Sequence, residues 1–163
     1  MKNAILAAGC FWGVEELIRQ VPGVLDTEVG YTGGSTPNPT YEDVKTGRSG
    51  HAEAVRITYD PGQLSFEDLL KLFFQLHDPT TLNRQGNDIG TQYRSTIFVA
   101  STEERATAKR VIQELNASGA FARPIATTLE EATTFYPAES YHQDYLQKHP
   151  NGYTCHYWRK PPR

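Results

Sequence analysis

Two cysteines are the most reactive side chains of this sequence, and the surroundings of Cys10 suggest chemistry. Cys10 follows a short apolar segment, residues 4–9, whose composition predicts a buried strand. Apolar residues at helical spacing come next, and Pro22-Gly23 ends the predicted helix. Backbone N–H groups at a helix start are unpaired and partly positive, which predicts a lowered pKa and a nucleophilic thiolate at Cys10. A buried, inert cysteine is the alternative.

Two aromatic residues, Phe11 and Trp12, directly follow this cysteine. Aromatic rings most often belong to a core. Consecutive residues at a helix start cannot both point into one core, so we expect at least one ring to face the opening beside Cys10. That ring would form a small apolar pocket next to the sulfur.

A candidate general acid lies in the alternating segment 51–60, which predicts a strand. The alternation places Glu53 on the same face as Val55 and other apolar side chains. Burial raises the pKa of a carboxyl and lets it keep a proton near neutral pH, as a general acid requires. The alternative is a glutamate that reaches solvent or pairs with Arg56 or Arg94.

Polar side chains come from two long loops. The Gly/Pro/Thr-rich loop 32–50 contains Tyr41, and the loop 79–92 contains Asp88 and leads to Tyr93 at the next strand. Loops of this length in a compact domain are often functional. Together with Cys10 and Glu53, these side chains could orient a polar substrate oxygen.

The order of the predicted elements indicates an α+β fold: a single domain with a mixed sheet and helices packed on it, a two-layer α/β roll with a ferredoxin-like core. Ser65 with Asp68 and Ser101 with Glu104 have the spacing of capping boxes, which open two of the helices. The remaining predicted elements are strands at 24–31 and 93–100, a short strand and turn within 122–138, helices at 66–78, 102–115 and 139–149, and an irregular tail at 150–163 that carries Cys155.

Length and charge limit the partners. A chain of 163 residues fits one domain, residues 1–163, and a net charge of -3 gives no electrostatic footprint for nucleic acid or an anionic membrane. The N-terminal apolar run is too short for a secretory signal, and no stretch approaches a membrane span, so we expect a cytoplasmic protein and a monomer. Reducing compartments keep thiols free, so Cys10 and Cys155 are expected to be catalytic or redox-active.

Three other uses of these residues remain open. Cys10 with His51 would suit a thiol hydrolase, and Cys10, His51, Cys155 and His156 could be taken as zinc ligands, although no compact ligand motif such as CxxC is present. A non-catalytic module that binds Met-containing peptides through its aromatic residues is the third.

Six ordered blocks of sequence resemble the peptide methionine sulfoxide reductase A family over nearly the whole chain. They are GCFWGVEE, VGYTGG, the block from Tyr41 to Pro61 that contains GHAEAVRITYDP, the block LLKLFFQLHDPT that continues to GTQYRS, YPAE with YHQDYL, and HPNGY. Six blocks in order are far more specific than any one motif.

The resemblance implies a role for each reactive residue near the first helix. Cys10 matches the nucleophile that attacks the sulfur of methionine sulfoxide. Phe11 and Trp12 match the rings that hold the S-methyl group of the substrate. Glu53 matches the acid that donates a proton to the sulfoxide oxygen.

The loop residues and the tail match further roles. Tyr41 and Tyr93 match the tyrosines that hydrogen-bond the sulfoxide oxygen, and Asp88 matches a member of the supporting polar network. Cys155 matches the resolving thiol. Cysteine commonly follows GY directly in this family, whereas Thr154 intervenes here, which puts the geometry of resolution in question.

The resemblance also implies the complete reaction. The substrate is the S epimer of methionine sulfoxide, free or in proteins, and the product is methionine. The oxidised cysteine passes through sulfenic acid to an intramolecular disulfide, which thioredoxin or dithiothreitol reduces without a metal or flavin. The expected role is repair of proteins after oxidative damage.

Overall fold

The protein is described by a computed structural model that covers residues 1–159. These residues contain eight strands and five α-helices. The strands are β1 (Lys2–Ala8), β2 (Val24–Thr32), β3 (Ala52–Tyr59), β4 (Arg84–Gln85), β5 (Asp88–Ile89), β6 (Ser95–Val99), β7 (Thr128–Glu131) and β8 (Tyr136–Pro137). The helices are α1 (Phe11–Ile18), α2 (Tyr41–Lys45), α3 (Phe66–Leu76), α4 (Thr102–Ser118) and α5 (Tyr145–Lys148). No helix in this part of the chain is long and apolar enough to cross a membrane.

Six of the strands form one mixed sheet in the order β7-β6-β1-β3-β2-β8. Only β6 and β7 pair in parallel; the other neighbours in this sheet are antiparallel. The sequence of elements β1-α1-β2-β3-α3-β6 and the central order β6-β1-β3-β2 are those of a ferredoxin-like core. The predicted α+β class with a mixed sheet is therefore confirmed.

The helices cover one face of the sheet, because the main hydrophobic cluster joins side chains of α1, α3 and α4 to strand residues of that face. Strand β3 shows the alternation behind this arrangement. Val55 and Ile57 point into the main cluster, while Ala52 and Ala54 belong to a small cluster with Phe98. The period of two predicted from the sequence thus assigns β3 side chains to the correct faces.

The helix starts predicted at Ser65 and Ser101 are correct. Ser65 Oγ accepts a hydrogen bond from the Asp68 N–H at 3.0 Å, and Ser101 Oγ accepts one from the Glu104 N–H at 3.1 Å. These hydroxyl groups satisfy N–H groups that the first turn of a helix leaves unpaired.

The loop 32–50 contains a helix that the sequence analysis missed. Thr40 and Asp43 form a reciprocal capping box that opens α2, which places Tyr41 at its first position. The Gly- and Pro-rich flanks hid this five-residue helix, since it is too short to show apolar periodicity.

The single helix predicted at 139–149 is wrong. A 3₁₀ turn at Ser140–His142 and the short helix α5 replace it, separated by Asp144 in the left-handed conformation with φ 55°. Long-range hydrogen bonds explain the break. The Gln143 side chain exchanges two hydrogen bonds with the backbone of Val29, and the Asp144 N–H donates to Glu15 Oε1 at 2.9 Å.

The tail is irregular, as predicted, and its described part runs to Arg159. It returns to the body of the domain, where the Arg159 N–H donates to the carbonyl of Gln75 at 2.8 Å. The last part of the predicted tail, 160–163, lies outside the described residues.

Candidate active site

Cys10 lies where β1 ends and α1 begins, as its sequence context predicts. It occupies the N-cap position of α1, and its side chain is 8% exposed. The glycine before it, Gly9, has φ +92°, which lets the backbone turn sharply from strand to helix. The turn directs the start of the helix toward β3.

The predicted lowering of the Cys10 pKa is wrong for this resting state. Burial of the sulfur raises the pKa of the Cys10 thiol well above its ordinary range, and the adjacent Glu53 carboxylate raises it further. The hydrogen bond from the Trp12 N–H favours the thiolate, but its effect is smaller. The helix start contributes the expected interaction, yet loss of solvent outweighs it.

Glu53 lies beside Cys10 and is almost fully buried, with 2% of its surface exposed. Its Oε1 accepts a hydrogen bond from the backbone N–H of Phe11, the residue after Cys10, at 3.2 Å. Burial raises the pKa of Glu53 to about 8, against the opposing effect of that hydrogen bond, and Asp88 adds to the rise. The carboxyl is therefore protonated at neutral pH, as the alternation pattern predicts.

The arginines considered as partners of Glu53 have other partners. Arg56 pairs with Glu28 on the neighbouring strand. Arg94 Nε donates to Glu130 Oε2 at 2.8 Å. These pairs leave Glu53 in surroundings where the neutral acid is the stable form.

Tyr41 and Tyr93 lie close enough to Glu53 and Cys10 for those groups to affect their pKa values. Burial raises the pKa of Tyr41 to about 12, and the nearby charges of Glu53 and Cys10 act in the same direction. Burial also raises the pKa of Tyr93, followed in effect by Glu53. Both hydroxyl groups thus stay protonated and can donate hydrogen bonds to a substrate oxygen.

The two aromatic residues after Cys10 separate as predicted. Phe11 is buried in the main core, with its ring centroid 5.7 Å from that of Tyr31. Trp12 is only partly buried and lies at the surface of the core beside Cys10. One ring thus anchors the helix start, and the other is available to a ligand.

Trp12 is held by residues to which the sequence analysis gave no role. Its ring stacks on Tyr145 with centroids 3.7 Å apart, and its Nε1 donates to His142 Nδ1 at 2.9 Å. The block YHQDYL carries both partners, but their function is visible only once residues 130 positions apart are brought together. His142 is itself buried against this site.

Cys155 is a free thiol, as is Cys10, and lies close enough to raise the pKa of Cys10. Its Sγ is 3.9 Å from Asp88 Oδ2 and 3.9 Å from the Gln85 carbonyl oxygen. Asp88 also accepts a hydrogen bond from the Tyr153 hydroxyl at 3.0 Å. The loop 79–92 therefore holds the tail at the site through Asp88.

The residues proposed for a hydrolase or a zinc site are not grouped in that way. His51 uses both ring nitrogens on the backbone of loop 32–50: the Gly34 N–H donates to Nδ1 at 3.0 Å, and Nε2 lies 2.7 Å from the Thr36 carbonyl oxygen. No group of three or more potential metal ligands occurs within residues 1–159.

A buried thiol beside a buried, protonated carboxyl, with tyrosine hydroxyl groups and a second thiol nearby, defines a thiol-dependent enzyme. Comparison with known proteins gives its family. Residues 2–163 match the family model described as peptide methionine sulfoxide reductase. A curated relative from Methanoculleus marisnigri, peptide methionine sulfoxide reductase MsrA, is 54% identical over 158 residues, which cover 97% of this chain and 96% of the relative.

Solved structures agree with the sequence match. Reduced Mxr1 from Saccharomyces cerevisiae superimposes with a TM-score of 0.92 at 38% identity, covering 98% of this chain and 92% of the yeast chain. Mxr1 in complex with Trx2 matches with a TM-score of 0.66 at 27% identity, over 98% and 90% of the two chains. The chain belongs to the peptide methionine sulfoxide reductase family and is an oxidoreductase.

Proposed function

We propose that this protein reduces the S epimer of methionine sulfoxide to methionine, free or within proteins, and so repairs oxidised proteins. The observation that carries the proposal is the protonated carboxyl of Glu53 bonded to the N–H of Phe11, one residue from the Cys10 thiol. A sulfoxide oxygen is a poor leaving group, so its reduction by a thiol requires a proton donor at that distance. Family membership supplies the substrate class.

In the first step, Glu53 donates its proton to the sulfoxide oxygen while the sulfur of Cys10 attacks the sulfoxide sulfur. The oxygen is transferred to Cys10, the substrate S–O bond breaks, and methionine leaves. The proton lost by the Cys10 thiol returns to Glu53. Cys10 is left as sulfenic acid, and no external proton or electron is consumed in this step.

Three side chains orient the substrate. The Tyr41 and Tyr93 hydroxyl groups donate hydrogen bonds to the oxygen as charge develops on it. The Trp12 indole, fixed by its stacking on Tyr145, contacts the S-methyl group. A polar end and an apolar end of the sulfoxide thus have separate partners, which is how a site distinguishes one epimer from the other.

In the second step, the Cys155 thiol attacks the sulfur of the Cys10 sulfenic acid, forms a disulfide and releases water. A dithiol then reduces the disulfide by exchange. Thioredoxin is the proposed reductant, by analogy with the complex of yeast Mxr1 and Trx2. Since thiols supply all the electrons, the cycle as written requires no metal or flavin.

The site residues all come from one chain, so a monomer suffices for the reaction. The cytoplasm is the proposed location, because it maintains the thiol reductants that this cycle consumes.

The experiment that tests the proposal is an assay of the purified protein on the two separated epimers with dithiothreitol, comparing wild type with Cys10→Ser. We expect wild type to release methionine from the S epimer only and Cys10→Ser to release none while still binding substrate weakly. Turnover of sulfoxide by Cys10→Ser would overturn the assignment of the nucleophile. Mass spectrometry of the oxidised wild type is expected to find a Cys10 to Cys155 disulfide.

A further inference from the structure

The tail residues around Cys155 pack directly on the start of α1. A Cβ atom added at Gly13 would lie 2.4 Å from both Thr154 Oγ1 and His156 Nδ1. One added at Gly9 would lie 3.4 Å from His156 Nε2. The first turn of α1 therefore leaves room for Thr154 and His156 because residue 13 is glycine, while at Gly9 the nearer neighbour is Gln85, 2.7 Å from an added Cβ.

His156 is the most firmly held residue of this contact. Its side chain is 6% exposed, and its Nε2 lies 2.6 Å from the carbonyl oxygen of Ala8, the last residue of β1. Because the partner is a carbonyl acceptor, Nε2 carries the proton and donates it. The backbone N–H of His156 donates to Thr154 Oγ1 at 3.1 Å, which closes a short turn around Cys155.

The hydrogen bond between His156 and Ala8 links the two chain segments that carry the cysteines. Ala8 lies two residues before Cys10, and His156 directly follows Cys155. A hydrogen bond between residues that neighbour the two cysteines limits how far the second thiol can move away from the first. The second thiol is therefore already nearby when the first is oxidised.

We propose that His156 is a positioning residue for the second step, and that its hydrogen bond to Ala8 holds Cys155 where it attacks the Cys10 sulfenic acid. The proposal rests on the proposed function, in which Cys155 is the resolving thiol. In that step the Cys155 to Cys10 S–S bond forms, the S–O bond of the sulfenic acid breaks, and the oxygen leaves as water with the thiol proton. The sulfenic acid itself is the oxidant.

Proton transfer is a poorer explanation for His156. Its Nδ1 is 3.9 Å from Cys155 Sγ. Burial lowers the pKa of His156 to about 4, and burial raises that of Cys155. A ring that releases its proton so readily is too weak a base to hold the thiol proton, whereas its neutral form keeps the hydrogen bond to Ala8.

The test separates the two steps in a single turnover, with a stoichiometric amount of methionine S-sulfoxide and no reductant. Methionine release reports the first step, and mass spectrometry of alkylated protein reports the disulfide. We expect His156→Ala to release methionine within about twofold of the wild-type rate and to form the disulfide about tenfold more slowly or worse, since the lost anchor is a buried hydrogen bond.

Three further variants provide controls. His156→Gln keeps an N–H donor that can reach the Ala8 carbonyl, so we expect it to restore disulfide formation to within about threefold of wild type, with an unchanged pH profile. Tyr157→Ala changes the next, 60% exposed tail residue and should behave as wild type. Gly13→Ala should slow the disulfide step while favouring the helix, because the new methyl group displaces Thr154 and His156.

Several outcomes would overturn the proposal. A wild-type rate of disulfide formation in His156→Ala is one, and equal slowing of methionine release, which indicates general damage to the site, is another. Loss of one ionisation from the pH profile of His156→Gln would show that the ring acts as a base. If wild type itself forms no Cys10 to Cys155 disulfide, the resolving role of Cys155 fails, and that result is distinct from a failure of His156.

Discussion

At the scale of single residues, burial keeps both Cys10 and Glu53 neutral. Loss of solvent raises the pKa of each group, and the charge of Glu53 raises the pKa of Cys10 further, so the thiol and the carboxyl are both protonated near neutral pH. The helix start divides its N–H groups between them, with Phe11 donating to Glu53 and Trp12 favouring the Cys10 thiolate. Cys10 is therefore a thiol in the resting protein, and we expect it to ionise only when it attacks a bound, polarised sulfoxide.

Replacement of the acid gives the most direct test of this pair. We expect Glu53→Gln to slow single-turnover release of methionine by roughly 10²-fold or more, because Gln cannot donate a proton to the sulfoxide oxygen. The wild-type rate is expected to fall as the pH rises through about 8, where Glu53 loses its proton. Glu28→Gln, a partly exposed carboxylate change on β2, is the matched control. A negligible effect of Glu53→Gln would move the proton donor elsewhere.

The buried acid also predicts a pH-dependent stability. Glu53 has an ordinary pKa of 4.5 and a folded-state pKa of about 8, so between these values the folded protein binds more protons than the unfolded chain. Its contribution to stability is fully present below about pH 4.5 and is lost as the pH rises toward about 8. We expect urea unfolding to show a gain of about 3–5 kcal/mol for Glu53→Gln over wild type at about pH 9, and little gain at about pH 4. The same pH dependence of the free energy of unfolding in wild type and Glu53→Gln would contradict this prediction.

At the scale of elements, local patterns predicted the parts that depend on local physics. The alternation of β3 gave the buried face of Glu53, and the hydroxyl groups of Ser65 and Ser101 marked helix starts correctly. The segment 139–149 has helical periodicity too, yet it breaks at Asp144 because tertiary hydrogen bonds outweigh the local preference. Such partners lie more than a hundred residues away and leave no local signal.

The separation of contacting residues along the chain also explains which site residues could be identified from the sequence. Cys10 and Glu53 stand out by type and position, whereas the support of Trp12 by His142 and Tyr145 exists only in the folded chain. The burial of a side chain also depends on residues that are distant in the sequence. A helix start predicts a lower thiol pKa, but the desolvation that reverses it depends on how the whole site closes.

Glu15 is the contact that holds α1, β2 and the broken helical segment together. It is 1% exposed, and its two carboxylate oxygens accept hydrogen bonds from the Thr27 hydroxyl and the Asp144 N–H, each at 2.9 Å. We expect Glu15→Ala to lower the free energy of unfolding by about 2–4 kcal/mol, because both donors lose their buried acceptor. Thermal and urea unfolding measure the change.

The control for this prediction lies on the same helix. Glu16→Ala removes a carboxylate that pairs with Arg19 and Gln147 at the partly exposed surface, and we expect a loss below about 1 kcal/mol. Equal losses for the two variants would show that Glu15 has no special role in joining these elements.

At the scale of the whole molecule, two segments that are far apart in the sequence meet at one site. Cys10 lies just after the first strand and Cys155 in the tail, and Gly13 admits the side chains of Thr154 and His156 on either side of Cys155. The inserted Thr154, which put the geometry of resolution in question, is one of the residues that packs on Gly13. The departure from the family pattern is accommodated by contact with the helix start.

The proposed cycle requires Cys155 to lie close to Cys10, and this requirement predicts the behaviour of Cys155→Ser. In the proposed mechanism the first step uses only Cys10, Glu53 and the substrate contacts, so we expect one equivalent of methionine to be released at close to the wild-type rate. Without a resolving thiol, Cys10 should remain as sulfenic acid, which dimedone labelling and mass spectrometry detect. Thioredoxin-supported turnover should be lost, since thioredoxin reduces a disulfide, whereas dithiothreitol can still attack the sulfenic acid directly. Undiminished cycling with thioredoxin would refute the resolving role of Cys155, and absence of the first equivalent of methionine would show that the tail thiol is needed to assemble the site for the first step.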